Sequence, residues 1–390
     1  MDRALNPYSP GAGRPPVAFV GRDAELQAWN VALTRLVSGR SGRPLALYGL
    51  RGVGKTVLLN RLRRDAEERG WIVASVEAGA GRSLRESLGE ALYGPLSDLA
   101  RPTAGRRIVQ ALRTALSFKA SYDSTGTWSF GLDLPEAPGG GADSGVLETD
   151  LAKLVKDVSA AAAEDGVGLA LLIDEAQDVE VGELAALCAV THRATQEGWP
   201  FLVALAGLPS LPRDLAEAKS YAERLFEFHR VHALPADQAE EAVLAPARSE
   251  GVQWDNAALQ VVLDTAGGYP YFLQQFGEGA WNQATEDPIS ETAARVGTAE
   301  GLQALDNGFF RSRWERATRA EREYLRAMAV DGDDGSSSGE VARRLGRPIA
   351  SLGPARGKLI AKGLVYAPEH GRVAFTVPRM ADFISRQPED

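Results

Sequence analysis

The chain has 390 residues, 44% hydrophobic and 24% charged, so it can bury a core and is not a disordered chain. At roughly 100–200 residues per domain, two or three domains are expected. Asp and Glu outnumber Lys and Arg, 52 to 43, and the net charge of −9 excludes a basic coat for nucleic acid over the whole surface, though not a local basic patch. A single cysteine, Cys188, excludes a disulfide framework and a Cys-rich zinc site. Met1 to Pro7 carries no apolar signal core, and no run approaches the roughly 18 apolar residues of a membrane helix. A cytoplasmic protein with no membrane partner is expected.

Residues 1–16 are rich in Pro and Gly and predict a flexible arm. From Phe19, short apolar runs alternate with amphipathic stretches, the pattern of a parallel α/β sheet. Four buried strands are predicted at Leu45–Tyr48, Trp71–Val76, Leu169–Ile173 and Phe201–Ala206, with a weaker fifth at Arg230–Leu234. Helices are predicted at Glu25–Val37, Lys55–Glu68, Ser83–Leu99, Leu151–Ala163 and Gly182–Glu197. Ser117–Leu134 holds Phe118, Tyr122, Trp128, Phe130 and Leu132 with partial period-two spacing and reads as an inserted hairpin. The Gly/Pro-rich loop 135–145 follows it. Residues 236–305 read as all-helical. The division expected is an arm (1–16), an α/β core (17–234, with the insertion at about 117–145), a helical lid (235–306) and a last domain (307–390).

Gly49-Leu50-Arg51-Gly52-Val53-Gly54-Lys55-Thr56 fits G-x-x-x-x-G-K-[ST], with a strand before it and a helix opening at Val57 behind it. The glycines let backbone N–H groups turn toward phosphate oxygens, and the helix N-terminus adds positive character there. Lys55 would reach the β- and γ-phosphates of ATP, and the Thr56 hydroxyl would bind Mg²⁺. The apolar strand Leu169–Ile173 ends in Asp174-Glu175. Asp174 would hold the Mg²⁺, and Glu175 would orient or deprotonate the attacking water. Gln177 and Asp178 read equally well as a solvent-facing helix start or as a polar switch. The histidines have no ligand spacing, and Cys188 reads as a small buried hydrophobe.

On these segments the sequence resembles the AAA+ ATPases, in particular the archaeal replication-initiator-like and transposition-regulator-like group. The resemblance runs over most of residues 17–305. It implies a P-loop NTPase fold with a three-layer α/β/α core, a parallel sheet, a helical lid and a C-terminal winged helix. It places Phe19, Val20, Gly21 and Arg22 against the adenine, and Gly49–Val57 around the phosphates. Tyr221–Phe226 resembles the segment that carries the arginine finger, so Arg224 becomes a catalytic candidate acting in a homo-oligomer. Two features depart from the pattern. The polar sensor at the end of the fourth strand is missing, with Gly207 near that place and Ser210 only a substitute. The lid sensor, normally Arg, is absent near Gly267–Phe272, where Gly-Gly-Tyr-Pro resembles signal-transducing switch ATPases. Both departures point to slow turnover.

Residues 338–377 read as a winged helix-turn-helix, with Ser338 and Ser351 capping its helices. From Val341 to Ala381 stand eight basic residues (Arg343, Arg344, Arg347, Arg356, Lys358, Lys362, Arg372 and Arg379) against one acid, Glu369. Such a stripe is the footprint of double-stranded DNA, with Arg347, Arg356, Lys358 and Lys362 around the recognition helix and Arg372 on the wing. The reading is an ATP-dependent DNA-binding switch. The alternative is a signalling-type (STAND-like) ATPase whose last domain contacts proteins and not DNA.

Overall fold

A computed structural model describes residues 1–11, 13–79, 81–99, 106–120 and 141–388. Two compact units form: residues 23–48 with 55–230, and residues 1–22 with 49–54 and 231–390.

The first unit contains α1 (Asp23–Val37), β1 (Leu45–Tyr48), α2 (Lys55–Glu68), β2 (Ile72–Glu77), α3 (Leu84–Leu99), α4 (Arg106–Ala120), α5 (Leu147–Glu164) and β3 (Leu169–Asp174). It continues with α6 (Val181–Glu197), β4 (Phe201–Gly207), α7 (Leu211–Ala218), α8 (Ala222–Leu225) and β5 (Glu227–Arg230). The five strands are parallel, in the order β2-β3-β4-β1-β5. All seven residues of β4 are buried, as are the first five of β3, because helices cover both faces of such a sheet. In a parallel sheet every strand ends on the same edge, so Tyr48, Asp174 and Gly207 finish there together.

Two expectations are corrected. The fifth strand is Glu227–Arg230 and not Arg230–Leu234. The apolar run attracted the reading, whereas the real strand is an edge strand with half-buried polar residues, registered Leu45↔Glu227 on β1. The hairpin expected from Ser117 begins instead as the end of α4, whose Leu112, Ala115 and Phe118 recur at helical spacing and are buried. Tyr122, Trp128, Phe130 and Leu132 lie outside the described residues.

In the second unit, α9 (Ala236–Ser249), α10 (Asn256–Ala266), α11 (Pro270–Gln283) and α12 (Glu291–Ala304) form the helical region. The N-terminal segment packs on it, where a flexible arm was expected. The Tyr8 hydroxyl donates to the Val243 carbonyl (2.5 Å) and accepts from Trp254 Nε1 (3.0 Å), and Asn6 Nδ2 donates to Asn282 Oδ1 (2.9 Å). One buried aromatic, 3% exposed, anchors a segment that its Pro/Gly content marks as loose.

The chain then runs through α13 (Arg311–Glu315), α14 (Arg319–Ala329), β6 (Ser336–Ser337), α15 (Ser338–Leu345), α16 (Ile349–Ala361), β7 (Val365–Tyr366), β8 (Arg372–Phe375) and α17 (Met380–Ser385). The small sheet is antiparallel, in the order β6-β8-β7. Ser337, not Ser338, caps α15, accepting from the Gly339 and Glu340 amides. Ser351 lies inside α16, its hydroxyl donating to the Pro348 carbonyl at 2.7 Å. Among the described residues, no helix is long and apolar enough to cross a membrane.

Candidate nucleotide site

In the sheet unit, Lys55 opens α2 and is 8% exposed, while Thr56 beside it is exposed. The Thr56 hydroxyl donates to the Asp174 carboxylate at the end of β3. Burial pushes the Asp174 carboxyl up and the negative charge of Glu175 adds to it, against the Thr56 bond, the Glu175 amide and the positive charge of Lys55, which lower it. A half-buried carboxylate with a hydroxyl beside it is a hard-oxygen donor pair that suits Mg²⁺, an ion that keeps waters and takes few protein ligands. Among the described residues, no group of three or more His, Cys, Asp or Glu could hold a metal alone. The two residues therefore fit a metal shared with phosphate, not a self-sufficient metal cage.

Glu175 stands at φ 50, ψ 40, in the left-handed region. Its N–H bonds to Asp174 Oδ1 (2.9 Å), and its carbonyl accepts from the Asp178 amide (2.8 Å). Gln177 donates from Nε2 to Glu175 Oε2 (2.5 Å) and accepts at Oε1 from the Leu208 amide (2.9 Å). Ser210 lies at the start of α7 without a side-chain cap bond. Arg224 is on α8, its side chain 78% exposed, with the Glu223 carboxylate at 4.0 Å.

In the other unit, residues 49–54 form the turn. Gly52 and Gly54 have φ of 87° and 91°, and a Cβ on Gly54 would meet open space. Here glycine supplies a conformation and an unobstructed backbone, the cradle that a phosphate needs. Val53 is buried. Arg22 donates to the carbonyls of Val53 (3.0 Å), His232 (2.7 Å) and Gly21 (3.2 Å). Of the segment expected at the adenine, Arg22 thus braces the loop backbone. Phe19, Val20 and Gly21 are half-buried.

The loop is also held by the regions that follow. The Arg51 amide donates to the Thr376 carbonyl after β8 (2.9 Å). The Tyr269 hydroxyl donates to the Arg51 carbonyl (2.6 Å), and the Tyr271 amide to the Gly52 carbonyl (3.3 Å). A Cβ at Gly363 would come within 3.0 Å of the Arg51 guanidinium. Tyr271 stacks on Phe309 (5.3 Å), and Phe310 stacks on Phe383 of α17 (5.5 Å). The sequence showed Tyr269-Pro270-Tyr271 only as a departure from a sensor motif, with no sign of these bonds.

The basic stripe is largely engaged inside the domain. Lys362 Nζ lies 2.6 Å from Glu321, Arg344 2.5 Å from Asp331, Arg343 2.5 Å from Glu340, and Arg347 3.6 Å from Glu323. Arg356 donates to the Arg372 carbonyl (3.1 Å), and Arg372 to the Asp334 carbonyl (3.2 Å). Lys358 is exposed and makes no ion pair among the described residues. The acids that do the pairing stand mostly outside the stretch that shows eight bases to one acid.

Residues 18–204 match the family model of the AAA ATPase domain, and residues 307–384 match a domain of unknown function, DUF8462. No curated protein matches the sequence. Among solved structures, the chain is similar to a Walker-type ATPase of Pyrococcus abyssi (TM-score 0.59, 16% identity, covering 95% of this chain and 98% of that one). It is also similar to Cdc6p of Pyrobaculum aerophilum (0.48, 14%, 99% and 97%). A third is the RuvB Holliday junction branch migration motor of Thermotoga maritima (0.45, 14%, 95% and 96%). At these identities the first is a likeness of fold, and the other two add nothing to it. A parallel sheet in this order, with a phosphate loop after its first strand and an acid pair after its third, accords with the AAA ATPase domain that residues 18–204 match.

Proposed function

We propose that the chain is a Mg²⁺-dependent ATP switch of slow turnover, in which the C-terminal domain senses the state of the phosphate loop. By the continuous motif, the amides of Gly49–Gly54 with Lys55 and Thr56 hold phosphate, and Phe19–Arg22 lie toward the base. Thr56 and Asp174 hold the metal, and Glu175 orients and deprotonates the attacking water. Bound Mg-ATP supplies a phosphoanhydride whose charge is partly neutralised for that attack. The observation that carries the reading is the bond from the Arg51 amide to the Thr376 carbonyl. A phosphate loop whose backbone is tied to the last domain cannot rearrange around a ligand without that domain registering it.

Hydrogen exchange across residues 307–384, with and without ATP and Mg²⁺, tests this. ATP is expected to change protection around Thr376, and Lys55→Ala is expected to lose both ATP affinity and that change. Full affinity in Lys55→Ala, or exchange in the last domain indifferent to nucleotide, defeats the reading.

The pairing of the basic residues favours a C-terminal domain that contacts protein or regulates its own chain. Duplex DNA is the second reading, favoured by exposed Lys358 on α16. Anisotropy with Glu175→Gln protein in ATP, in ADP and without nucleotide separates the two. A DNA-binding surface gives affinity that falls steeply with salt, by counterion release.

A further inference from the structure

The end of β4 offers no polar side chain, since Gly207 is followed by Leu208. An amide from elsewhere occupies the place. Gln177, two residues beyond Glu175, accepts from the Leu208 amide at 2.9 Å and donates to Glu175 Oε2 at 2.5 Å. A Cβ on Gly207 would lie 3.1 Å from the same Gln177 oxygen and 3.2 Å from Leu211 Cδ2, so the glycine leaves room for the amide to reach the strand end. Glu175 itself is in the left-handed region, a state that residues other than glycine occupy only where surrounding bonds enforce it. Asp174 and Asp178 fix its backbone. Gln177 fixes its carboxylate.

The geometry selects an amide of this length. One end must donate to a carboxylate and the other must accept from a backbone N–H, which the Gln amide does without titrating, and Asn is one methylene shorter. We infer that Gln177 is a positioning residue for hydrolysis. It ties the Glu175 carboxylate to the end of β4 and so supplies, from the segment after β3, the polar anchor that Gly207 lacks. The inference rests on the reading of Glu175 as the base, and it takes that reading further.

The test compares Gln177→Met, which keeps the length and removes both bonds, with Glu175→Gln and with the double variant. Gln177→Met is expected to lower kcat about tenfold or more, part of what a well-placed general base contributes, with KM and ATP affinity unchanged. In the Glu175→Gln background the same change is expected to cost nothing further, since no base remains to be positioned. Without nucleotide, the Leu208 amide is expected to exchange faster in Gln177→Met. Should that variant fold poorly, Gln177→Glu keeps the length, loses the N–H donor and sets a second carboxylate against the first, with the same fall in kcat expected. An unchanged or raised kcat, or an equal loss in both backgrounds, overturns the role of Gln177. If Glu175→Gln hydrolyses ATP at the wild-type rate, the assignment of the base fails first. If that variant is inactive while Gln177→Met is wild type, the inference about Gln177 alone fails.

Discussion

Gly49 follows β1 at the entry to the phosphate loop, and its missing side chain is a steric requirement. A Cβ there would lie 2.2 Å from the Val231 carbonyl oxygen, a distance that only a backbone shift relieves. Gly49→Ala is therefore expected to destabilise the protein by about 1–3 kcal/mol, the usual cost of overpacking, and to weaken ATP binding as the loop moves. Thermal denaturation without nucleotide measures the first effect, and an unchanged midpoint would mean that Val231 yields freely. Lys55, Thr56, Asp174 and Glu175 were legible as candidates because short-range spacing and one strand pattern define them. What Arg22 and Gln177 do was not legible in the sequence. Arg22 reaches carbonyls at Val53 and His232, and Gln177 reaches the amide of Leu208, so both roles depend on where distant strands end.

The first helices of the C-terminal domain show how local and distant chemistry combine in one element. Thr318 caps α14 in a reciprocal capping box with Glu321, whose carboxylate also takes Lys362 at 2.6 Å and is 2% exposed. Burial alone would raise the Glu321 carboxyl, but the Lys362 bond, the Thr318 amide and the positive charge outweigh it and hold the group below its ordinary range. A depressed carboxylate stabilises the fold above its unfolded pKa, and that contribution is lost as pH falls through the folded value. Glu321→Ala is expected to cost about 3 kcal/mol at neutral pH, as breaking a buried pair does, and the deficit should shrink below about pH 4. Chemical denaturation of both proteins between pH 3 and 8 checks this, and a deficit constant over that range would detach it from the carboxylate charge. The same pair shows why the basic stripe carries less free charge than its sequence suggests, because Glu321 lies upstream of the stretch with eight bases to one acid. Long elements with strong periodicity, such as α2 and α6, were legible to within a residue. The end of α4 was not, because Phe118 reads together with the aromatic residues that follow it in the sequence, and β5 was not, because an edge strand needs little apolar content.

For the molecule as a whole, the exposed guanidinium of Arg224 bears on whether one chain suffices for hydrolysis. Its loose approach to Glu223, at 4.0 Å on a solvent-facing helix, is worth well under about 1 kcal/mol, so stability gives it little to do. An arginine in that position suits a role toward a second copy of the chain, where it would meet charge that develops on a transferring phosphoryl group. If it acts so, wild-type turnover per chain rises with protein concentration as copies associate. Arg224→Ala then removes the rise, about a hundredfold or more at saturation, while ATP affinity and the thermal midpoint stay unchanged. Specific activity across a concentration series, read beside sedimentation of the same samples, checks both statements together. Turnover independent of concentration, with Arg224→Ala equal to wild type throughout, would return Arg224 to an ordinary place on the surface and make each chain a complete catalyst.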